Sequence, residues 1–258
     1  FGALIGFIMI VSDISPFSHF SMIALIIMLI VLVSRKYLQN DVVTEKTEEE
    51  KNVNAVKEKR FKMPEILLLQ LGLVGLFALV VESAMFDWSG VYFESVLQVP
   101  KSLQIGFLVF MVMMTVGRFL TNFAYRICGK KLVVQLAGIF IFVGFFTSAF
   151  LGDLVDDMTI KVIVNSLGFM FVGLGISCIV PTIYSVVGAK SKTPVGIALT
   201  ILSSISFIGS LIAPLLIGAI SKAFNMKYAY MLIGILGACI VLIVTFSKAF
   251  NEKSNKIG

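Results

Sequence analysis

Long apolar runs fill most of this chain, and polar side chains collect at the breaks between them. Positions 66–81 hold one polar side chain, Gln70; positions 132–151 hold only Gln135, Thr147 and Ser148; positions 197–220 carry no charge. A helix rises about 1.5 Å per residue, so roughly 20 apolar residues match a hydrocarbon layer of about 30 Å. In lipid each backbone N–H and C=O must be satisfied within its own segment, so such runs read as membrane-spanning helices. The pattern predicts crossings at 20–33, 66–95 (longer than one crossing), 102–125, 132–151, 160–187, 196–220 and 228–246. The first, bounded by His19 and Arg35, is the shortest. Positions 1–11 are too short to cross a bilayer and read as the end of a helix whose beginning lies upstream, so a fragment lacking its amino-terminal part is expected.

A hydrophobic fraction of 58% and a mean hydropathy of +1.00 exceed the roughly 45–50% apolar usage of soluble domains, so length counts spans here rather than globular domains. The net charge of +6 would suggest nucleic acid, but the placement of the charges removes that reading. Alternating the loops between two sides puts sixteen Lys and Arg on one side and four on the other, with Arg118 inside a span. Short basic loops stay cytoplasmic, which fixes the expected orientation. Asp153, Asp156 and Asp157 fall outside. Cys128, Cys178 and Cys239 are odd in number and lie in or at the ends of spans, so they read as small packing side chains rather than disulfides.

The only long polar stretch, 35–62, mixes Lys, Glu, Asn and Val around Glu48–Glu50 and contains neither Pro nor Gly. It reads as a cytoplasmic linker, its basic end resting against anionic lipid headgroups. The expected organisation is 1–34, the truncated end of an amino-terminal bundle; 35–62, the linker; 63–248, a six-helix transmembrane bundle; and 249–258, a cytoplasmic tail.

Glu82 is the main functional candidate. An ionised carboxylate in hydrocarbon costs several kcal/mol, so one inside a span faces a wet cavity or a partner. At helical spacing Gly75, Ala78, Glu82, Phe86 and Ser89 share a face, which suits a polyhydroxylated or amphipathic solute. The competing reading ends the span at Val81 and leaves Glu82 hydrated at the outer surface. Asp87 is expected to cap or break the helix in the Asp-Trp-Ser-Gly stretch, and Trp88 and Tyr92 to join an interfacial aromatic belt. Arg118 is expected near the inner end of its span, at a gate or helix contact. Small or polar residues recur at Gly168, Gly175 and Thr182 and at Thr200, Ser203, Ser206 and Ser210; packing accounts for both stripes. Within and beside them Asn165, Ser177 and Ser203 are the candidates for lining a cavity.

Four stretches then carry a family resemblance. They are the Glu82–Tyr92 segment; Gly117-Arg118 followed by Gly129-Lys130-Lys131; Gly173–Ser177 with Pro181–Ser185; and Gly196–Ala198 through Pro214–Gly218. Taken in order they resemble the carboxy-terminal half of a major facilitator superfamily transporter, in the branch of the fucose permease-like sugar carriers. The first is similar to that branch's E-G-A-M-x-D-W-S-x-x-Y pattern, with Ser83 where Gly is usual. The Gly117–Lys131 pattern lacks the acidic residue expected before Gly129.

The resemblance implies an all-α membrane protein in the cell membrane: a carboxy-terminal six-helix bundle plus one to two helices of the preceding bundle, working by alternating access. The implied partners are a small organic solute such as a sugar, H+, membrane lipids and the missing amino-terminal bundle. Gly117, Arg118, Gly129, Lys130 and Lys131 form the implied gate or cytoplasmic-loop set. No cofactor or metal is expected: no phosphate-binding glycine loop ends in Gly-Lys-Ser/Thr, and His19 is the single histidine. The alternatives are a seven-span receptor, against which the largest polar loop follows the first span, and a membrane-embedded enzyme, for which only Glu82 with Asp87 comes close to a catalytic cluster.

Overall fold

The computed structural model describes residues 15–38, 65–100, 105–151, 154 and 157–250. Positions 1–11, Glu48–Glu50 with nearly all of the linker, Asp153 and Asp156, and most of the tail lie outside the described residues. Every regular element among them is helical, and the chain divides into two compact units, Phe1–Met63 and Pro64–Gly258.

The first unit contributes one described helix, α1 (Pro16–Leu38). Ser15 caps it, its hydroxyl accepting from the Ser18 amide at 3.3 Å. Phe20, Leu25, Ile26, Leu29, Ile30 and Val33 are all exposed around it. A helix apolar on every side belongs in lipid or a protein core, and its uncharged stretch is long enough to cross.

The second unit holds α2 (Ile66–Ser95), α3 (Gly106–Phe150), α4 (Met158–Lys190), α5 (Val195–Ala223) and α6 (Met226–Phe246), then a 3₁₀ turn, Lys248–Phe250. Forty-five residues of α3 would extend about 68 Å, roughly two bilayer crossings. The helix is divided at Gly129, whose φ of 72° and ψ of 160° only glycine adopts without strain. The contacts with α4 prove that the chain turns back there. Along the arm 106–128, Phe110 meets Gly173, Gly117 meets Leu174 and Ser177, and Tyr125 bonds Thr182: the numbers rise together. Along 130–150, Ala137 meets Gly175, Gly144 meets Gly168, and Ser148 bonds the Asn165 carbonyl: as one rises the other falls. The two arms therefore run antiparallel on either side of α4, and the second unit contains six rods, as the apolar runs predicted.

Two expectations fail here. The helix α2 passes through Asp87, Trp88, Ser89 and Gly90 without a break and ends at Ser95. An exposed Asp and one Gly cost under about 1 kcal/mol each in helix propensity, and the burial of Tyr92 and Phe93 one turn later outweighs that. Tyr92 is likewise not in an outer belt. It stacks on Tyr230 at 4.5 Å and lies against Phe169, its hydroxyl donating to the Ser148 carbonyl at 3.2 Å. Phe93, Phe145 and Phe169 complete this buried cluster, which locks α2, both arms' partner α4, and α6 together.

Polar contacts between rods concentrate at one end of the unit. Glu65 accepts from the Thr193 hydroxyl and the Lys192 amide, Ser247 donates to Gln70, Lys130 to Ser185, Lys131 to the Thr245 carbonyl and Lys190 to the Ala249 carbonyl. This is the end that the basic loops assign to the cytoplasm. The opposite end carries the helix caps Asp157, which accepts from Thr159 and Ile160 amides, and Asn225.

Candidate functional site

Glu82 and Arg118 meet. The Glu82 carboxylate oxygen Oε1 lies 3.9 Å from Nη2 of Arg118, with the side chains 19% and 59% exposed. Arg118 occupies the middle of the arm 106–128 rather than its inner end, and Glu82 is about 24 Å along α2 from Ile66. The pair thus lies away from the ends of both rods, and α2 continues as helix beyond it for three further turns. No charged residue occurs in α4 between Lys161 and Lys190, in α5 before Lys222, or in α6 after Lys227, so nothing else on those rods can neutralise it.

The surroundings are partly aromatic and partly hydroxylic. Phe86, one turn outward from Glu82, is 40% exposed, and its ring lies 5.9 Å from both Phe107 and Phe110. Next to Glu82 along α2, Ser83 and Ser210 share a hydrogen bond of 2.7 Å, and two turns earlier Gly75 packs directly on Ser206, fixing α5 against α2. Ser177 lies against Gly117 and donates to its own helix at the Leu174 carbonyl, 2.6 Å away.

The other expected site residues do not all converge here. Ser89 is buried, and its hydroxyl has no hydrogen-bond partner among the described residues. Asn165 is buried against the arm 130–150, its amide donating to the Lys161 carbonyl at 2.8 Å and its Oδ1 without a partner among the described residues. Ser203 pairs with the Tyr184 hydroxyl at 2.6 Å, further toward the basic end. Gly168 and Gly175 serve close packing against Gly144 and Ala137. Gly129, Lys130 and Lys131 form the turn between the two arms, with both lysines anchored to neighbouring rods. Sequence reasoning missed the pairing of Glu82 with Arg118, and also Tyr184, Ser83 and Ser210. The first was findable: two opposite charges in successive apolar spans each require a partner.

Long apolar rods, two of which carry an ion pair part-way along their length, define a multi-pass membrane protein. Residues 1–195 match the sequence profile of the Major Facilitator Superfamily, and the chain belongs to that family of membrane transporters, which are not enzymes. It is 26% identical over 176 residues to the membrane protein MosC of Rhizobium meliloti, covering 67% of this chain and 41% of MosC. It is 24% identical over 177 residues to an uncharacterized MFS-type transporter of Yersinia pestis, covering 68% and 44% of the two. The chain therefore spans less than half the length of these relatives. Among solved structures, the fold matches a peptide transporter POT in complex with alafosfalin at a TM-score of 0.61 and 16% identity, over 75% of this chain and 40% of that one. It matches the inward-open xylose transporter XylE from E. coli at a TM-score of 0.60 and 12% identity, over 70% and 47%.

Proposed function

We propose that this chain supplies the carboxy-terminal six-helix bundle of a secondary active transporter. Residues 1–34 then belong to a preceding bundle and 35–62 to the linker between the two. The two bundles alternate access to a solute site near the midplane, and the solute is a small organic molecule moved with H+. The observation that carries this reading is the Glu82–Arg118 pair, a charged couple part-way along apolar rods where packing alone has no use for it. In this role Glu82 exchanges the coupling proton and Arg118 balances its charge. Phe86, with Phe107 and Phe110 behind it, forms an apolar wall for the solute. The turn at Gly129, with Lys130 and Lys131 tied to α4 and α6, supports a place at the cytoplasmic gate. The likeness of Glu82–Tyr92 to the fucose permease-like branch supports a sugar or sugar derivative as cargo.

The test is proton-driven accumulation of solute by the full-length protein in proteoliposomes. Glu82→Gln abolishes accumulation driven by a pH gradient while exchange of internal for external solute persists. Accumulation by Glu82→Gln at the wild-type level rejects Glu82 as the coupling group, and uptake by residues 1–258 alone rejects the two-bundle cycle.

A further inference from the structure

Arg118 stands at the middle of the arm 106–128 with most of its side chain exposed. At 3.9 Å, Glu82 compensates the charge without a hydrogen bond, and Arg118 makes none to any described residue. Its planar fork of five N–H donors is therefore free to bind something else. At about 100° per residue the exposed side of the arm divides into two arcs. Thr115, Arg118 and Asn122 lie on one, and Val112, Val116 and Phe123 on the other. The second arc suits lipid, whereas the first requires water or a polar ligand.

Two hydroxyl groups on the neighbouring rods are already engaged. Ser83 is paired with Ser210, and Ser177 donates to the Leu174 carbonyl. The hydroxyls of a neutral polyol would receive only bonds assisted by the one charge of the guanidinium. A carboxylate does match the fork, through two parallel charge-assisted bonds.

We propose that the transported solute is an organic anion, a small carboxylate such as a sugar acid or a ring-bearing acid. Its carboxylate binds Arg118 and its body lies against Phe86. This rests on the transport reading above and narrows its solute class. Arrival of the anion would place two carboxylates on one guanidinium. Among the described residues the charged groups at this level are Glu82 and Arg118, with Asp87 on the exposed side of α2, so within this bundle charge is balanced by one proton from water joining Glu82 as the anion binds.

The experiment is calorimetry on the purified full-length protein with matched acids and neutral partners: gluconate against glucose, glucuronate against methyl glucoside, benzoate against benzyl alcohol, and 3-phenylpropionate against 3-phenylpropanol. At least one acid should bind about tenfold or more tightly than its neutral partner. Arg118→Gln should lose about tenfold or more of that binding, with Arg118→Lys between the two. Titration in buffers of different ionisation enthalpy should report about one proton taken up per acid in the wild type and none in Glu82→Gln. Gel filtration of each variant establishes folding, and the lysine variant carries the test if the glutamine variant aggregates. The proposal is overturned if no acid of the panel binds, if neutral partners bind equally, or if both Arg118 variants bind the acid as the wild type does. A neutral solute carried with Glu82-dependent coupling overturns the anion alone; an acid bound at Arg118 but never carried overturns transport alone.

Discussion

Adding one methyl group to Gly175 should loosen the bundle, whereas adding the same group to Gly90 should tighten it. A Cβ built on Gly175 would lie 2.5 Å from the Ala137 carbonyl oxygen, 2.9 Å from Ile141 Cγ1 and 3.3 Å from the Ile141 amide nitrogen. The nearest of these is backbone held in a helix, so it cannot rotate away, and α4 must move about 1 Å from the arm 130–150 to restore ordinary contact. Overpacking of this kind costs about 1–3 kcal/mol. Alanine recovers up to about 1 kcal/mol at either position, because glycine is the poorer helix former. Gly90 also lies within a helix, but a Cβ there meets nothing within 4 Å. The pair cancels the propensity gain and isolates the clash, with an expected difference of about 1–3 kcal/mol between the two variants. The assay is reversible unfolding in mixed detergent micelles, followed by circular dichroism and by fluorescence of Trp88, the single tryptophan. Equal changes in the two variants would refute the claim that α4 and the arm 130–150 touch through this glycine.

Two further outcomes follow from the same contacts. Tyr230→Ala should destabilise the protein by about 3–5 kcal/mol, the range for deleting a buried aromatic ring, while Tyr230→Phe keeps the stack on Tyr92 and loses only a 3.4 Å bond to the Ala84 carbonyl, at a cost under about 1.5 kcal/mol; the same unfolding assay separates them. Single cysteines introduced at Lys130 and Lys192 should be labelled by an impermeant maleimide from the cytoplasmic side, and those at Asp157 and Asn225 from the opposite side; labelling of Lys130 and Asp157 from one side would contradict the reversal at Gly129.

The number and limits of the rods were readable because a lipid-facing or core-facing helix admits few polar residues, and the breaks near 95–105, 126–131 and 188–195 interrupt the apolar runs. Which face of each rod points inward was not readable. In α2, buried Leu71, Val74 and Val81 and exposed Leu69 and Leu73 are equally apolar, since hydrocarbon and protein interior make the same demand. Tyr92 was placed at an interface for that reason; only the packing of α6 shows that Tyr230 covers it. Asp87 was read as a breaker by local propensity, which tertiary burial of the following turn overrides. Glu82 was singled out from its charge, and Arg118 was open to the same argument, but that the two meet rests on the middle of the arm 106–128 passing α2 at that level. Ser177 and Ser203 look available as hydroxyls in the sequence, whereas in the fold each donates to a backbone carbonyl of its own helix.

The central claim is that Glu82 and Arg118 face an aqueous cavity within the membrane. Replacing Cys128, Cys178 and Cys239 and introducing single cysteines at Thr115, Asn122, Val116 and Phe123 tests it, with a membrane-impermeant methanethiosulfonate applied to the full-length protein in sealed vesicles of each orientation. Thr115 and Asn122 should react and be slowed by a bound solute, while Val116 and Phe123, on the apolar arc, should remain unmodified. Reaction at Val116 and Phe123 with none at Thr115 and Asn122 would mean that Arg118 faces lipid, and would contradict the account.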